Sequence, residues 1–157
     1  LQKRQKIKKC YFEIQGQDSV LKLKGGYMKI LVGYDGSNVS KEAITTAEKH
    51  ATVFKGEIIL AHSMIGGPEV PRKDFEKAES NLAYEKGLLL DKKIPCKTIL
   101  SVRGLEAGED LVQLAEENKA DEIIMGVRRR SKVGKLIFGS TAQYVILNAP
   151  CPVVSVK

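Results

Sequence analysis

The stretch from Gly126 to Thr141, GVRRRSKVGKLIFGST, concentrates the residue types that bind anions. It leaves an apolar run, crosses a basic loop and enters a helical pattern at Gly139-Ser140-Thr141. The unpaired N–H groups and positive dipole end of a helix start favour an anion, and glycine lets backbone come close to a phosphate. A phosphate-sized guest follows for Gly126, Gly139, Ser140 and Thr141. Arg128, Arg129 and Arg130 allow two readings: guanidiniums that clamp phosphate bidentately, or a solvated basic loop. A second residue of interest is Asp35, an acid at the end of an apolar run and just before Gly36-Ser37, a position that also suits an ordinary turn residue.

Other chemistries lack their residues. The G-x-x-x-x-G-K-[ST] phosphate loop is absent from the sequence, and no Ser-His-acid order or carboxylate pair stands out as a catalytic unit. His50 and His62 have no metal-ligand partner at helical or hairpin spacing, so both read as structural. Cys10, Cys96 and Cys151 are odd in number and far apart, which suits neither a disulfide framework nor a metal knuckle. Cys151, between Pro150 and Pro152, reads as a buried structural thiol.

The elements that position these groups alternate between strand and helix patterns. Lys29–Asp35, Glu57–Ser63, Lys97–Val102, Asp121–Gly126 and Pro152–Val156 are short apolar runs rich in β-branched residues. Between them lie helical patterns: one from Ser40 with Ala43, Ile44, Ala47 and Ala51, then Pro71–Lys93, Asp110–Lys119 and Gly139–Asn148. Such alternation predicts a single α/β domain, a doubly wound five-stranded parallel sheet covered on both faces. In these sheets ligands sit at the carboxyl ends of the strands. Asp35, Ser63 and Gly126 then share the functional edge if their strands are neighbours.

The net charge of +7 is uneven. Residues 1–27 carry a net +5 and the remainder only +2. The basicity belongs to the leader, so the charge does not support a general nucleic-acid surface on the folded part. Lys24-Gly25-Gly26 can be encoded as a purine-rich ribosome-binding sequence shortly before Met28, so the expectation is that 1–27 is translated upstream sequence and the domain is 28–157; the rival is a basic tail for membrane or RNA. With no membrane-length apolar run and no secretory signal pattern, the expected compartment is the cytoplasm.

The loop at 126–141 resembles the nucleotide loop of universal stress proteins: Gly, two residues, Gly, nine residues, Gly, then Ser or Thr. The opening ILVGYDGSNVSKEA, the strand ending in His62 and the closing NAPCPVVSVK are similar to that family as well, and the likeness runs over 28–157 in one order. It implies a Rossmann-like fold of the adenine nucleotide alpha hydrolase type with strand order 3-2-1-4-5. It also implies a site for ATP or another adenine nucleotide, with magnesium accompanying the phosphates. Asp35 would lie near the adenosine, Ser63 where backbone meets the adenine, and Gly126, Arg128, Arg129, Gly139, Ser140 and Thr141 along ribose and phosphate. Arg129 departs from the pattern by standing at its second glycine, where a side chain restricts φ and fills space that backbone needs. The implied role is nucleotide binding in stress response through dimer or partner contacts, without catalysis. Its partners would be a second copy, pairing along 152–156, and the nucleotide, with no membrane or specific nucleic acid. The alternatives are a nucleotide-free interaction module of the same fold and a slow ATP hydrolase.

Overall fold

A computed structural model describes residues 27–66, 70–127 and 139–157. Its elements alternate as β1 (Lys29–Gly33), α1 (Asn38–Phe54), β2 (Glu57–Ser63), α2 (Arg72–Asp91), β3 (Cys96–Ser101), α3 (Ala107–Asn118), β4 (Glu122–Gly126), α4 (Ser140–Asn148) and β5 (Val153–Val156). The strands form one parallel sheet in the order β3-β2-β1-β4-β5. That is the expected doubly wound α/β fold. Residues 1–26, and with them nearly all of the basic leader, lie outside the described residues.

Side-chain alternation along each strand builds two cores. Ile30, Val32, Ile58 and Leu60 pack under α1 and α2 with Ile44, Leu82 and Leu89. Leu31, Ile59, Ala61 and Ile123 face α3 and α4 with Leu111, Leu114 and Val145. Ile30, Leu31 and Val32 are all fully buried, so the central strand has no solvent face. Each such aliphatic side chain contributes ~1.5–3 kcal/mol through burial.

Two helix starts differ from the sequence expectation by more than one residue. Helix α1 begins at Asn38, not Ser40, because Ser37 is the cap: its backbone is extended and its hydroxyl accepts from Ser40 N at 3.3 Å. Ser40 is inside the first turn, donating through Oγ to the Ser37 carbonyl at 2.8 Å. Helix α3 begins at Ala107, three residues before the expected Asp110. Gly108 looks like a linker residue but is helical and buried; a β-carbon there would lie 3.0 Å from Tyr144 Cβ and 3.2 Å from the Thr141 carbonyl. Its absence lets α3 close onto the first turn of α4.

Cys151 is half-buried rather than buried, beside Asp121 and Glu122. Burial and these two carboxylates push its thiol pKa up to about 11. His50 holds the buried Glu122 at 2.8 Å, a structural tie between α1 and β4.

Candidate functional site

A cavity of about 230 Å³ opens at the carboxyl ends of β1, β2 and β4, just below the ~300–1,000 Å³ typical of small-molecule sites. Asp35, Ser63, Gly126, Gly139, Ser140 and Thr141 all line it. Residues up to 106 positions apart in the chain, Asp35 and Thr141, thus meet because β1 sits between β2 and β4. Arg128 and Arg129 lie outside the described residues.

Two of the helix starts at the cavity, those of α1 and α4, differ in charge character. At α1, Asp35 Oδ1 accepts from Ser37 N at 2.9 Å, Gly36 supplies a left-handed turn (φ 79°), and Ser37 caps the helix. That end carries a carboxylate and is already capped, which disfavours an anion. At α4, Gly139 takes the cap position with no side-chain hydrogen bond to the first turn. Among the described residues no side chain caps the first turn of α4, and Ser140 and Thr141 of that turn line the cavity. One cavity so presents an acceptor-only group at one side and an anion-seeking helix start at the other.

Gly126 keeps these sides together. A β-carbon on it would lie 2.6 Å from the carbonyl carbon of Val39 and 2.7 Å from its oxygen. Only glycine allows the end of β4 to meet the first turn of α1 this closely.

Behind Asp35, on the α2 side of the sheet, Tyr34 donates to Glu85 Oε1 at 3.3 Å and stands edge-on to His62 with ring centroids 6.5 Å apart. Burial, and then the neighbouring Glu85 carboxylate, push the Tyr34 phenol up to about 12. Burial also lowers the His62 imidazole below its ordinary value, with Asp35 pulling the other way.

Sequence reasoning missed the contribution of α3, whose Ala107 and Leu111 form part of the cavity wall. It also missed Ser37 and Ser40 at the start of α1. The capping pattern around Ser37 was a usable signal for the latter pair; Ala107 and Leu111 carry none that separates a cavity wall from ordinary core.

With this geometry in place, comparison with known proteins decides the family. The model of the universal stress protein family matches residues 26–157. The chain belongs to the universal stress protein family. A family member from Thermus aquaticus is 33% identical over 140 residues, covering 83% of this chain and 99% of that protein. Another, from Methanocaldococcus jannaschii, is 33% identical over 141 residues, covering 83% and 82%. Among solved structures, a universal stress protein from Archaeoglobus fulgidus superposes with a TM-score of 0.74 at 31% identity, covering 83% of this chain and 94% of that one. A structure of the Archaeoglobus fulgidus universal stress protein in complex with dAMP gives a TM-score of 0.71 at 29% identity, covering 83% and 98%.

Proposed function

We propose that this universal stress protein domain binds an adenine nucleotide in the cavity at the carboxyl edge of its sheet. The observation that carries this reading is the pairing, in one cavity, of the Asp35 carboxylate with the helix start at Gly139-Ser140-Thr141, which has no side-chain cap among the described residues. The helix start suits phosphate. Asp35 suits the hydroxyls of a ribose, which donate to a carboxylate. The dAMP held by the Archaeoglobus fulgidus relative supports the same class of ligand. The phosphate side offers amides and hydroxyls, and among the described residues no group of three or more His, Cys, Asp or Glu is placed to hold a metal. Magnesium would then arrive on the nucleotide's own oxygens, its usual partners.

The role is binding coupled to assembly, not turnover. Half-buried Val153, Val154 and Val156 lie on a sheet edge, and Leu147 on neighbouring α4 is 73% exposed. An edge of this kind needs covering, and a two-fold copy would cover it. Cytoplasmic location belongs to the same reading; among the described residues no helix is long and apolar enough to cross a membrane.

The deciding experiment is mass spectrometry of ligand released from freshly purified protein, followed by calorimetry with ATP and AMP. Co-purified or micromolar-affinity adenine nucleotide is the expected result, and absence of binding at millimolar nucleotide refutes the reading. Phosphate release above background from ATP-saturated protein would refute the non-catalytic role. Replacing Arg129 by glycine reads out that residue's effect: raised ATP affinity means that Arg129 blocks the phosphate pose, lowered affinity that it clamps phosphate.

A further inference from the structure

At the carboxyl edge of the sheet, β1 and β2 each end by serving both faces. Asp35 and Ser63 line the cavity, while the side chains one residue earlier, Tyr34 and His62, belong to the α2 side. Tyr34 N donates to the Ala61 carbonyl at 2.8 Å, which holds the two strand ends side by side. A titratable cluster thus backs directly onto the cavity wall.

His62 is the member of that cluster with unmet hydrogen bonding. Its Nδ1 is buried without a hydrogen bond. Tyr34, edge-on to the ring, is committed through its hydroxyl to Glu85. Among the described residues, the titratable groups that face His62 are therefore Tyr34 and Asp35 of β1 and, behind Tyr34, Glu85 of α2. From β3 the register partner is the apolar Leu100. Burial disfavours a charge on the imidazole, and the Asp35 carboxylate favours one. Of these two influences, only that of Asp35 acts from a residue that a ligand in the cavity can reach.

We propose that His62 makes this cavity proton-linked: filling the cavity with a nucleotide draws a proton onto the imidazole, so that binding tightens on acidification. This rests on the adenine-nucleotide reading above. A bound nucleotide displaces water beside Asp35, and the lower local dielectric strengthens the pull of that carboxylate on a proton at His62. The phosphate brings further negative charge into the same cavity, which acts in the same direction. The ligand adds no burial to the ring, because His62 is not among the residues that line the cavity and its side chain lies on the other face of the sheet. Nothing therefore offsets the gain in proton affinity. Linkage is reciprocal, so a proton on His62 favours the nucleotide as much as the nucleotide favours the proton. His62 touches no part of the ligand; it acts through Asp35.

The chain has two histidines, His50 and His62, so a ring-proton NMR titration of the full chain follows His62 directly, with His50→Gln fixing the assignment. Cyclic AMP is the probe, because its phosphodiester does not titrate near neutral pH as a phosphate monoester does. Saturating cyclic AMP is expected to move the His62 titration to higher pH. Calorimetry should find cyclic AMP bound about threefold or more tighter at pH 5.5 than at pH 7.5, and His62→Gln should bind it almost equally at both. An unmoved or lowered His62 titration overturns the proposal, and so does a His62→Gln protein that keeps the wild-type pH dependence. Wild-type affinity that does not change with pH overturns it too, while the nucleotide site stands. If ATP binds and cyclic AMP does not, the same comparison is made with ATP, and His62→Gln supplies the reference for the phosphate's own titration. Should wild type bind neither, the site itself is refuted and this inference with it. Should His62→Gln fail to melt cooperatively, the wild-type NMR titration decides alone.

Discussion

Replacing Gly126 by alanine tests whether the cavity depends on a close backbone crossing. The new β-carbon would sit 2.6 Å from Val39 C, 2.7 Å from Val39 O and 2.9 Å from Val39 Cβ. Ordinary carbon contacts begin near 3.5 Å, so β4 and the first turn of α1 must separate by close to an ångström. The obstacle is mostly backbone, which cannot rotate away as a side-chain tip can. Overpacking of this kind costs about 2–3 kcal/mol. For a domain of this size each kcal/mol corresponds to roughly 3–5 °C, giving a fall in Tm of about 6–15 °C. Gly87→Ala is the matched control. Gly87 lies within α2 with nothing within 4 Å of its would-be β-carbon, so alanine should raise stability by about 0.5–1 kcal/mol through helix propensity alone. Scanning calorimetry of the two variants reads opposite signs if the reasoning holds. Since Val39 and Ser40 line the cavity, Gly126→Ala should also lose at least about tenfold in ATP affinity, ~1.4 kcal/mol. A Gly126→Ala protein melting within about 2 °C of wild type, half the per-kcal shift, would refute the account of how the two ends of the site are joined.

Tyr34→Phe removes the donor to buried Glu85, and urea melts should show a loss of about 1 kcal/mol; because the folded phenol ionises only near 12, wild-type stability should also decline above pH 10, where the unfolded chain ionises first, and the variant should not share that decline. His62 has a lowered folded-state value, so the unfolded chain takes up its proton first on acidification. Its contribution is fully present above about pH 6.5 and is lost as pH falls toward the folded value; denaturant melts of His62→Leu at pH 7.5 and 5.5 should show a smaller pH difference than wild type. Val154→Pro withdraws an edge-strand N–H and bends β5; light scattering at micromolar concentration should report a dimer for wild type and a monomer for the variant, and a wild-type monomer would refute pairing through this edge.

Element order and the glycine-containing loop were legible in the sequence because each has a local signature. A buried parallel strand is a short β-branched run, and a helix start needs its cap within a few residues. Asp35, Ser63 and Gly126 could be placed at one edge from that order, on the condition that their strands are neighbours, which the β2-β1-β4 order meets. The contribution of α3 was hidden for a physical reason: Leu111 at helical spacing looks the same whether it packs against core or lines a cavity beside Ser63. Asp110 was hidden more deeply. Near the start of a helix an acid reads as a favourable dipole partner on the surface, and that is where the sequence put the helix boundary. Only the fold, by starting α3 at Ala107 and turning Asp110 inward onto Ser101, converts it into a buried carboxylate. Gly108 explains why that turn is possible. Lacking a side chain, it lets α3 close onto Thr141 and Tyr144, so the spacing that seats Asp110 against the sheet is the same one that holds the start of α4 in place. Gly108→Ala should therefore weaken ATP binding, read by calorimetry, and lower the melting temperature together, because it displaces both the start of α4 and the seat of Asp110, whereas Ser140→Ala should weaken binding alone.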